Sequence, residues 1–338
     1  MRRTIVAGLA LLLALVAAPV VAHAQTVTIR LGTVAPEGST WHLLLKEMGE
    51  KWAADTGGKV KLKIFPGGIQ GNEGDVIKKM RIGGLQAGAV SIVGLRDIDW
   101  GPEALGTPGL LNTDDEFQYA LEKLGPVWEK RLAEKGFIVL SWGDTGWCRL
   151  FSKVELRTPG QAKDLKMFAW ASDTGSEEAW KLVGFRPVVI SATDMLPSLT
   201  TGMIDAFATT PILAMTARWY EPTKYMPDVN WGRLAGATIV SKDAWEKIPE
   251  EVRPKLLASA RSVGEKINAE VAKMGRDAID VMKKNGLEVL DLTPAERAEW
   301  QAAAEKTWPV IRTKVSTPED FDLVKATRDE FRAKQGKK

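Results

Sequence analysis

Few side chains in this sequence could do covalent chemistry. Cys148 is the single cysteine, and His42 is the only histidine besides His23. One thiol cannot close an internal disulfide, and one histidine beside one thiol cannot assemble a zinc site or a Ser-His-Asp or Cys-His arrangement. Cys148 reads as a small buried hydrophobe. Carboxylates remain: Asp144, Asp173 and Asp205 could support acid–base catalysis if two of them converged with split pKa values, but no paired motif marks them. The glycine-rich run 66–74 precedes a helix pattern and could offer backbone N–H groups to phosphate. It lacks the spacing and the lysine of a nucleotide loop, so a tight strand-to-helix turn is the better reading. Aromatic surface is what the sequence does offer. Residues 141–172 hold Trp142, Trp147, Trp170, Phe151, Phe168 and a Gly/Asp/Thr cluster between two strand-like runs, the composition of a domain crossing beside a ligand cleft.

The elements that position these residues follow from the patterning. Arg2 and Arg3, an apolar run over 5–18 and the small-residue pattern Ala22-His23-Ala24 predict a secretory signal peptide over 1–24. The run is short for a membrane span, an uncleaved anchor being the alternative, and no cysteine follows it to carry a lipid. The mature protein is expected in the periplasm. Net charge is +3 with the basic leader and the lysine-rich tail included, so the body is nearly neutral and no basic stripe suggests nucleic acid. The length suits about two domains.

Alternation predicts strands over 27–31 and 60–65, with a helix between them carrying Trp41, Leu44, Leu45, Met48 and Trp52 on one face. A helix over 75–83, a buried strand over 89–93, a capping box at Thr113 and a buried strand over 137–142 follow. Past the crossing come strand 166–170, helix 176–182, strand 186–190, a second capping box over 191–194, strand 202–209 and a returning strand over 234–241. Strands alternating with helices predict α/β units with open sheets. Apolar residues from Val252 to Ala278 recur at intervals of three and four, predicting a helix over 250–285. At about 1.5 Å per residue it is on the order of 50 Å long, more than one domain needs. Thr-Pro-x-acid starts at Thr293 and Thr317 predict two closing helices.

Several segments together resemble the solute receptors of tripartite ATP-independent periplasmic (TRAP) transporters, the DctP-like family. They are A-P-E-G-S over 35–39, T-G-G-K-V over 56–60, F-P-G-G-I-Q-G over 65–71, R-T-P-G-Q-A-K-D-L-K over 157–166, G-M-I-D-A over 202–206, and S-K-D-A-W-E-K-I-P-E-E over 241–251. No one of them is diagnostic; their joint order is. The resemblance implies a two-lobed α/β periplasmic binding protein fold with crossing hinge strands and a domain-spanning helix. Lobe I would take 25–145 and 234–255, lobe II 146–233 and 286–312, the spanning helix 250–285, and a final helix with a basic tail 313–338. It implies no cofactor, a small ligand in the cleft between the lobes, and delivery to membrane permease subunits.

The resemblance also implies an arginine that clamps the ligand's carboxylate through its planar fork. In this sequence that place falls on Phe168, with Trp170 and Asp173 following, a departure shared with a subgroup associated with tetratricopeptide-repeat partner proteins. Arg149 lies near a second family arginine once a small gap is allowed. The expected cleft wall is therefore Trp41, Trp142, Trp147, Phe168, Trp170 and Trp219, with Gln70, Thr209 and Thr210 as polar contacts and Arg149 as a lone carboxylate partner; Asp173 would repel an anion if it reached the cleft. The expected ligand is mainly hydrophobic or amphipathic, such as a lipid-like or aromatic carboxylate. Three alternatives stand beside it: an ordinary small organic acid clamped by Arg149, an exported carboxylate-dependent enzyme, and an envelope adaptor with an exposed apolar patch.

Overall fold

The computed structural model describes residues 26–170, 174–191 and 194–336, so the expected leader and Asp173 lie outside the described residues. The first half is built from β1 (Val27–Thr33), α1 (Thr40–Asp55), β2 (Val60–Phe65), α2 (Glu73–Arg81), β3 (Ala87–Ser91), α3 (Ile92–Leu95) and α4 (Asp114–Glu134). A 16-residue strand, β4 (Phe137–Ser152), then leads to β5 (Lys166–Trp170), α5 (Thr174–Val183), β6 (Arg186–Ile190), α6 (Met195–Thr201), β7 (Ala206–Thr209), α7 (Pro211–Thr216) and β8 (Tyr225–Pro227). The chain returns through β9 (Gly232–Ser241), α8 (Lys242–Glu246), α9 (Arg253–Lys284), β10 (Glu288–Leu290), α10 (Pro294–Val310) and α11 (Pro318–Gln335).

Strand order is β2-β1-β3-β9-β4-β7-β5-β6, with β8 bridging β4 and β10. The β1–β2, β1–β3, β5–β6 and β5–β7 pairs are parallel, whereas β9 and β4 pair antiparallel where they cross. β4 belongs to both halves: Phe137 to Cys148 pair with β9, and Arg149 to Ser152 pair with β7. The expected break at Gly-Asp-Thr-Gly is therefore absent. The cluster is absorbed into the ladder with one bulge, between Asp144 and Gly146, where Gly146 takes φ +98°; a second bulge lies upstream, between Val139 and Ser141. A bulge bends and twists a strand without ending it, and glycine takes the positive φ at little cost. What looks like a link in the sequence is one continuous strand joining two lobes.

Local side-chain contacts fix the helix starts. Ser39 caps α1 by accepting from His42 N, and His42 Nδ1 accepts from Gly38 N at 3.0 Å, which settles the histidine in a local turn. In the glycine-rich run, Asn72 and Asp75 form a reciprocal capping box at the start of α2. Thr113, Thr293 and Thr317 cap α4, α10 and α11. The 191–194 motif includes two residues outside the described set.

α9 has 32 residues, about 48 Å at 1.5 Å per residue, and follows a 3-10 turn over Glu250–Val252. Its start, from Leu256 to Ile267, packs into the core of β1 and α1, while Met282 near its end joins the core of the second lobe. Between them, Val271 and Ala278 meet Ile212 of α7, with Trp41 of α1 packed on the same cluster. A Cβ on Gly264 would come within 2.8 Å of Ser141 Cβ and of the Trp142 carbonyl, so glycine is what lets α9 lie directly on β4. The chain's end is divided: α10 supplies Trp300 to the second lobe's core, and α11 supplies Phe321 and Val324 to the core of α4.

Candidate functional site

Where β4 passes from one partner strand to the other, the chain encloses a cavity of about 380 Å³. Its walls come from both lobes: Asp114 at the start of α4, Trp147 and Arg149 of β4, Ile212 of α7, Arg233 of β9, and one face of α9 from Val271 to Ile279. Trp147 and Arg149 are two residues apart on a strand, so both side chains leave the same face.

Three arginines reach this cavity, and they are not equivalent. Arg233 has three of its five N–H donors engaged by two carboxylates: Nε and Nη2 bond Asp144, Nη1 bonds Asp114, and its carbon lies 4.7 Å from the centroids of both Phe117 and Trp147. Burial alone would lower its pKa, but the Asp144 and Asp114 contacts outweigh that and raise it. Asp144 has no solvent exposure and also accepts from Gly146 N at 2.8 Å. Asp114 is held below the ordinary carboxylate range: burial pushes upward, and is overcome by Arg233, the Trp147 N–H and the charge of Arg276.

Arg149 differs. It gives one N–H to Asp228 at 3.0 Å and no other hydrogen bond among the described residues, although a guanidinium carries five N–H donors. Its side chain is 17 % exposed; burial pulls its pKa below the usual arginine range and Asp228 only partly offsets this. Arg276, on the exposed side of α9, makes no hydrogen bond or ion pair among the described residues. Asn230 lines the cavity too, and its Oδ1 is buried without a partner. The arrangement can take an anion on unspent guanidinium donors, with Pro211, Ile212, Val271 and Ile279 as apolar wall.

Of the side chains expected from sequence, Trp147 and Arg149 line this cavity. Thr209 pairs with Arg149 across β4 and β7, and Thr210 caps α7 by accepting from Leu213 N. Trp41 bridges the α1 core and the α9–α7 cluster. The rest lie apart. Phe168 is 3 % exposed in a packed aromatic core, 4.8 Å from the Trp170 ring and 6.2 Å from that of Trp219. Trp142 turns toward α4, with its ring 6.0 Å from Trp128 and Nε1 donating to Glu129. Gln70 accepts from Lys79 through its carbonyl and side chain. Asp205 is tied to Lys166 across the strands, and Asp144 to Arg233.

Sequence reading missed Asp114, Asn230, Arg233 and Arg276. Arg233 falls one residue before the strand expected over 234–241; an arginine in a Gly- and Ala-rich strand was its signal. Arg276 lies outside the apolar stripe of Val271, Met274 and Ala278, on the exposed side of α9, so the helical periodicity carried no signal for it.

A family model for bacterial extracellular solute-binding proteins, family 7 (DctP), matches residues 31–314. The 2,3-diketo-L-gulonate-binding periplasmic protein YiaO of Escherichia coli is 25 % identical over 304 residues, 88 % of this chain and 90 % of that protein. The C4-dicarboxylate-binding periplasmic protein DctP of Rhodobacter capsulatus is 25 % identical over 263 residues, 76 % of this chain and 77 % of that protein. A crystal structure of a TRAP periplasmic solute-binding protein from Xanthobacter autotrophicus with bound β-D-galacturonate superposes with a TM-score of 0.81 at 19 % identity, over 89 % of this chain and 99 % of that one. At that identity the likeness concerns the fold, which is two-lobed in both. The family match, spanning both lobes and the crossing strands, makes the chain a solute-binding protein rather than an enzyme: it belongs to the DctP family of bacterial extracellular solute-binding proteins.

Proposed function

We propose that this protein is the periplasmic receptor of a TRAP-type transporter, that it captures a small carboxylate with a partly apolar body, and that it hands the solute to membrane permease subunits. The observation that carries the ligand class is Arg149, a mostly buried guanidinium on the crossing strand with one N–H spent and the others without a partner among the described residues, beside a cavity. A carboxylate there would gain charge-assisted bonds with little reorganisation. Arg276 adds a second positive charge, without a hydrogen bond or ion pair among the described residues, and Ile212, Val271 and Ile279 would lie along the ligand's carbon body. The relatives named above bind a diketo sugar acid, C4-dicarboxylates and a uronate, which supports the same class.

A ligand held mainly by Phe168, Trp170 and Trp219 has less support, because Phe168 and Trp219 are spent on the lobe's own core. The geometry gives no support to a tetratricopeptide-repeat partner. The test is calorimetric titration with a panel of short dicarboxylates, sugar acids and aryl or alkyl monocarboxylates. Binding of at least one, reduced about 100-fold or more by Arg149→Ala and little changed by Phe168→Leu, is expected. Undiminished binding in Arg149→Ala would overturn the assignment.

A further inference from the structure

A carboxylate of the protein's own already sits on Arg149. Asp228, just after β8, takes the Arg149 N–H on Oδ1 at 3.0 Å, while Oδ2 accepts from Arg297 of α10 at 3.2 Å and its backbone carbonyl accepts from Arg297 Nη1. One aspartate is thus divided between two arginines. Its side chain is 44 % exposed, and it meets Arg149 through a single oxygen. Asp144 on Arg233 shows the opposite: two oxygens engaged and no exposure. Two residues beyond Asp228, Asn230 lines both the 380 Å³ cavity and an adjoining one of about 230 Å³ that reaches Arg297, and its Oδ1 is without a partner.

We infer that Asp228 is a resident stand-in for the solute's carboxylate: it neutralises Arg149 when no solute is bound and falls back on Arg297 when a solute carboxylate takes Arg149. This rests on Arg149 being the solute's arginine. The exchange is physically reasonable because neither charge is stranded. Breaking a buried ion pair is costly when one partner is left uncompensated; here Arg297 keeps Asp228 paired, and the incoming carboxylate pairs Arg149. An arginine as shielded as Arg149 would be a liability in the free receptor without such a partner. The same device sets specificity. A solute must outcompete Asp228, so neutral isosteres, which cannot neutralise Arg149, gain no foothold.

Acetate serves as the probe. Thermal unfolding is measured at pH 7 in sodium acetate and in sodium chloride of equal ionic strength, for the natural protein, Asp228→Asn, Asp228→Ala and the double variant Arg149→Gln/Asp228→Ala. Acetate beyond chloride should raise the midpoint of both single variants by about 3 °C or more, that of the natural protein less, and that of the double variant not at all. Any carboxylate that binds the natural protein should bind Asp228→Asn about tenfold tighter. Equal responses to acetate and chloride, an acetate response in the double variant matching the single, or weaker carboxylate binding by Asp228→Asn would each overturn the inference; the last would make Asp228 a holder of Arg149. Acetate rescue without carboxylate binding to the natural protein would sink the proposed ligand class alone. Arg149-dependent carboxylate binding without acetate rescue would sink the stand-in alone.

Discussion

The ion pair at the strand crossing gives the sharpest stability prediction. Arg233→Met keeps a long stem between Phe117 and Trp147 but removes the guanidinium that bonds Asp144, whose side chain has no solvent exposure. Removing one member of a buried pair costs about 3–5 kcal/mol, because the other charge is left in the interior. Loss of the cation–π contacts at 4.7 Å adds up to about 1 kcal/mol, while Asp114, 54 % exposed at its side chain, stays solvated and contributes little. The expected loss is therefore about 4 kcal/mol. Asp144→Asn in the same background removes the stranded charge and still accepts from Gly146 N through its amide oxygen. The double variant should recover about 2–3 kcal/mol of the deficit. Urea denaturation of the four proteins, followed by far-UV circular dichroism, reads both numbers. A single-variant loss below about 1 kcal/mol, or a coupling energy near zero, would refute the view that Arg233 is a structural rivet and return it to the list of ligand arginines.

Other consequences are independent of that pair. Gly264→Ala should destabilise by about 1–3 kcal/mol in the same denaturation assay, since its Cβ would meet the Trp142 carbonyl at 2.8 Å and backbone cannot yield as a side chain does. Arg276→Ala should weaken carboxylate binding about fivefold and flatten its dependence on salt, read by titration between 50 and 300 mM chloride, because this partner is exposed and screened. Cys148 tests pH linkage. Cys148 is half-buried, and its desolvation pushes the thiol up to about 12, so the folded state keeps the proton while the unfolded chain loses it near pH 9, and stability falls as pH rises between those values. The slope is at most about 1.4 kcal/mol per pH unit. Unfolding free energies of the natural protein and Cys148→Ala should therefore diverge above pH 9, and a thiol reagent should modify native Cys148 far more slowly than the unfolded chain; parallel pH curves would refute the assignment.

The fold was legible where local chemistry and long-range packing ask for the same thing. Thr113, Thr293 and Thr317 cap helices because an N-cap is decided within four residues. The apolar spacing of α9 exceeds what one lobe's core can use, so its reach could be read before any contact was known. Residues 143–146 misled because glycine, aspartate and threonine favour turns locally, whereas pairing with β9 holds the same residues in the strand with a single bulge. The site was less legible. Phe168 looked like a cleft residue because an arginine was expected in its place, yet its exposure is settled by Trp219, Phe207 and Met195, which lie distant in sequence. Arg149, Arg233 and Arg276 could not be ranked from sequence at all. Their difference lies in how many N–H groups each has already spent, and that depends on Asp144 and Asp228 arriving from elsewhere in the chain.

That ranking bears on how a receptor of this architecture could couple binding to closure. β4 is continuous through the crossing, so Gly-Asp-Thr-Gly is not a loose link; the lobes are joined by β4 with its two bulges, by β9, by α9, which is anchored in both cores, and by the passage from α10 to α11. Arg149 is the first residue of β4 beyond the register shared with β9, and Arg276 faces the same cavity from α9. In the proposed reading a carboxylate on Arg149 whose body reaches Arg276 therefore ties the crossing strand to the spanning helix, two of the elements that join the lobes. Arg233 is poorly placed for this part, because its charge is already matched by Asp144 and Asp114 and three of its five donors are engaged before any solute arrives. The crossing thus separates its two strand arginines by duty: one holds the strands in register, and the other is left with donors to give.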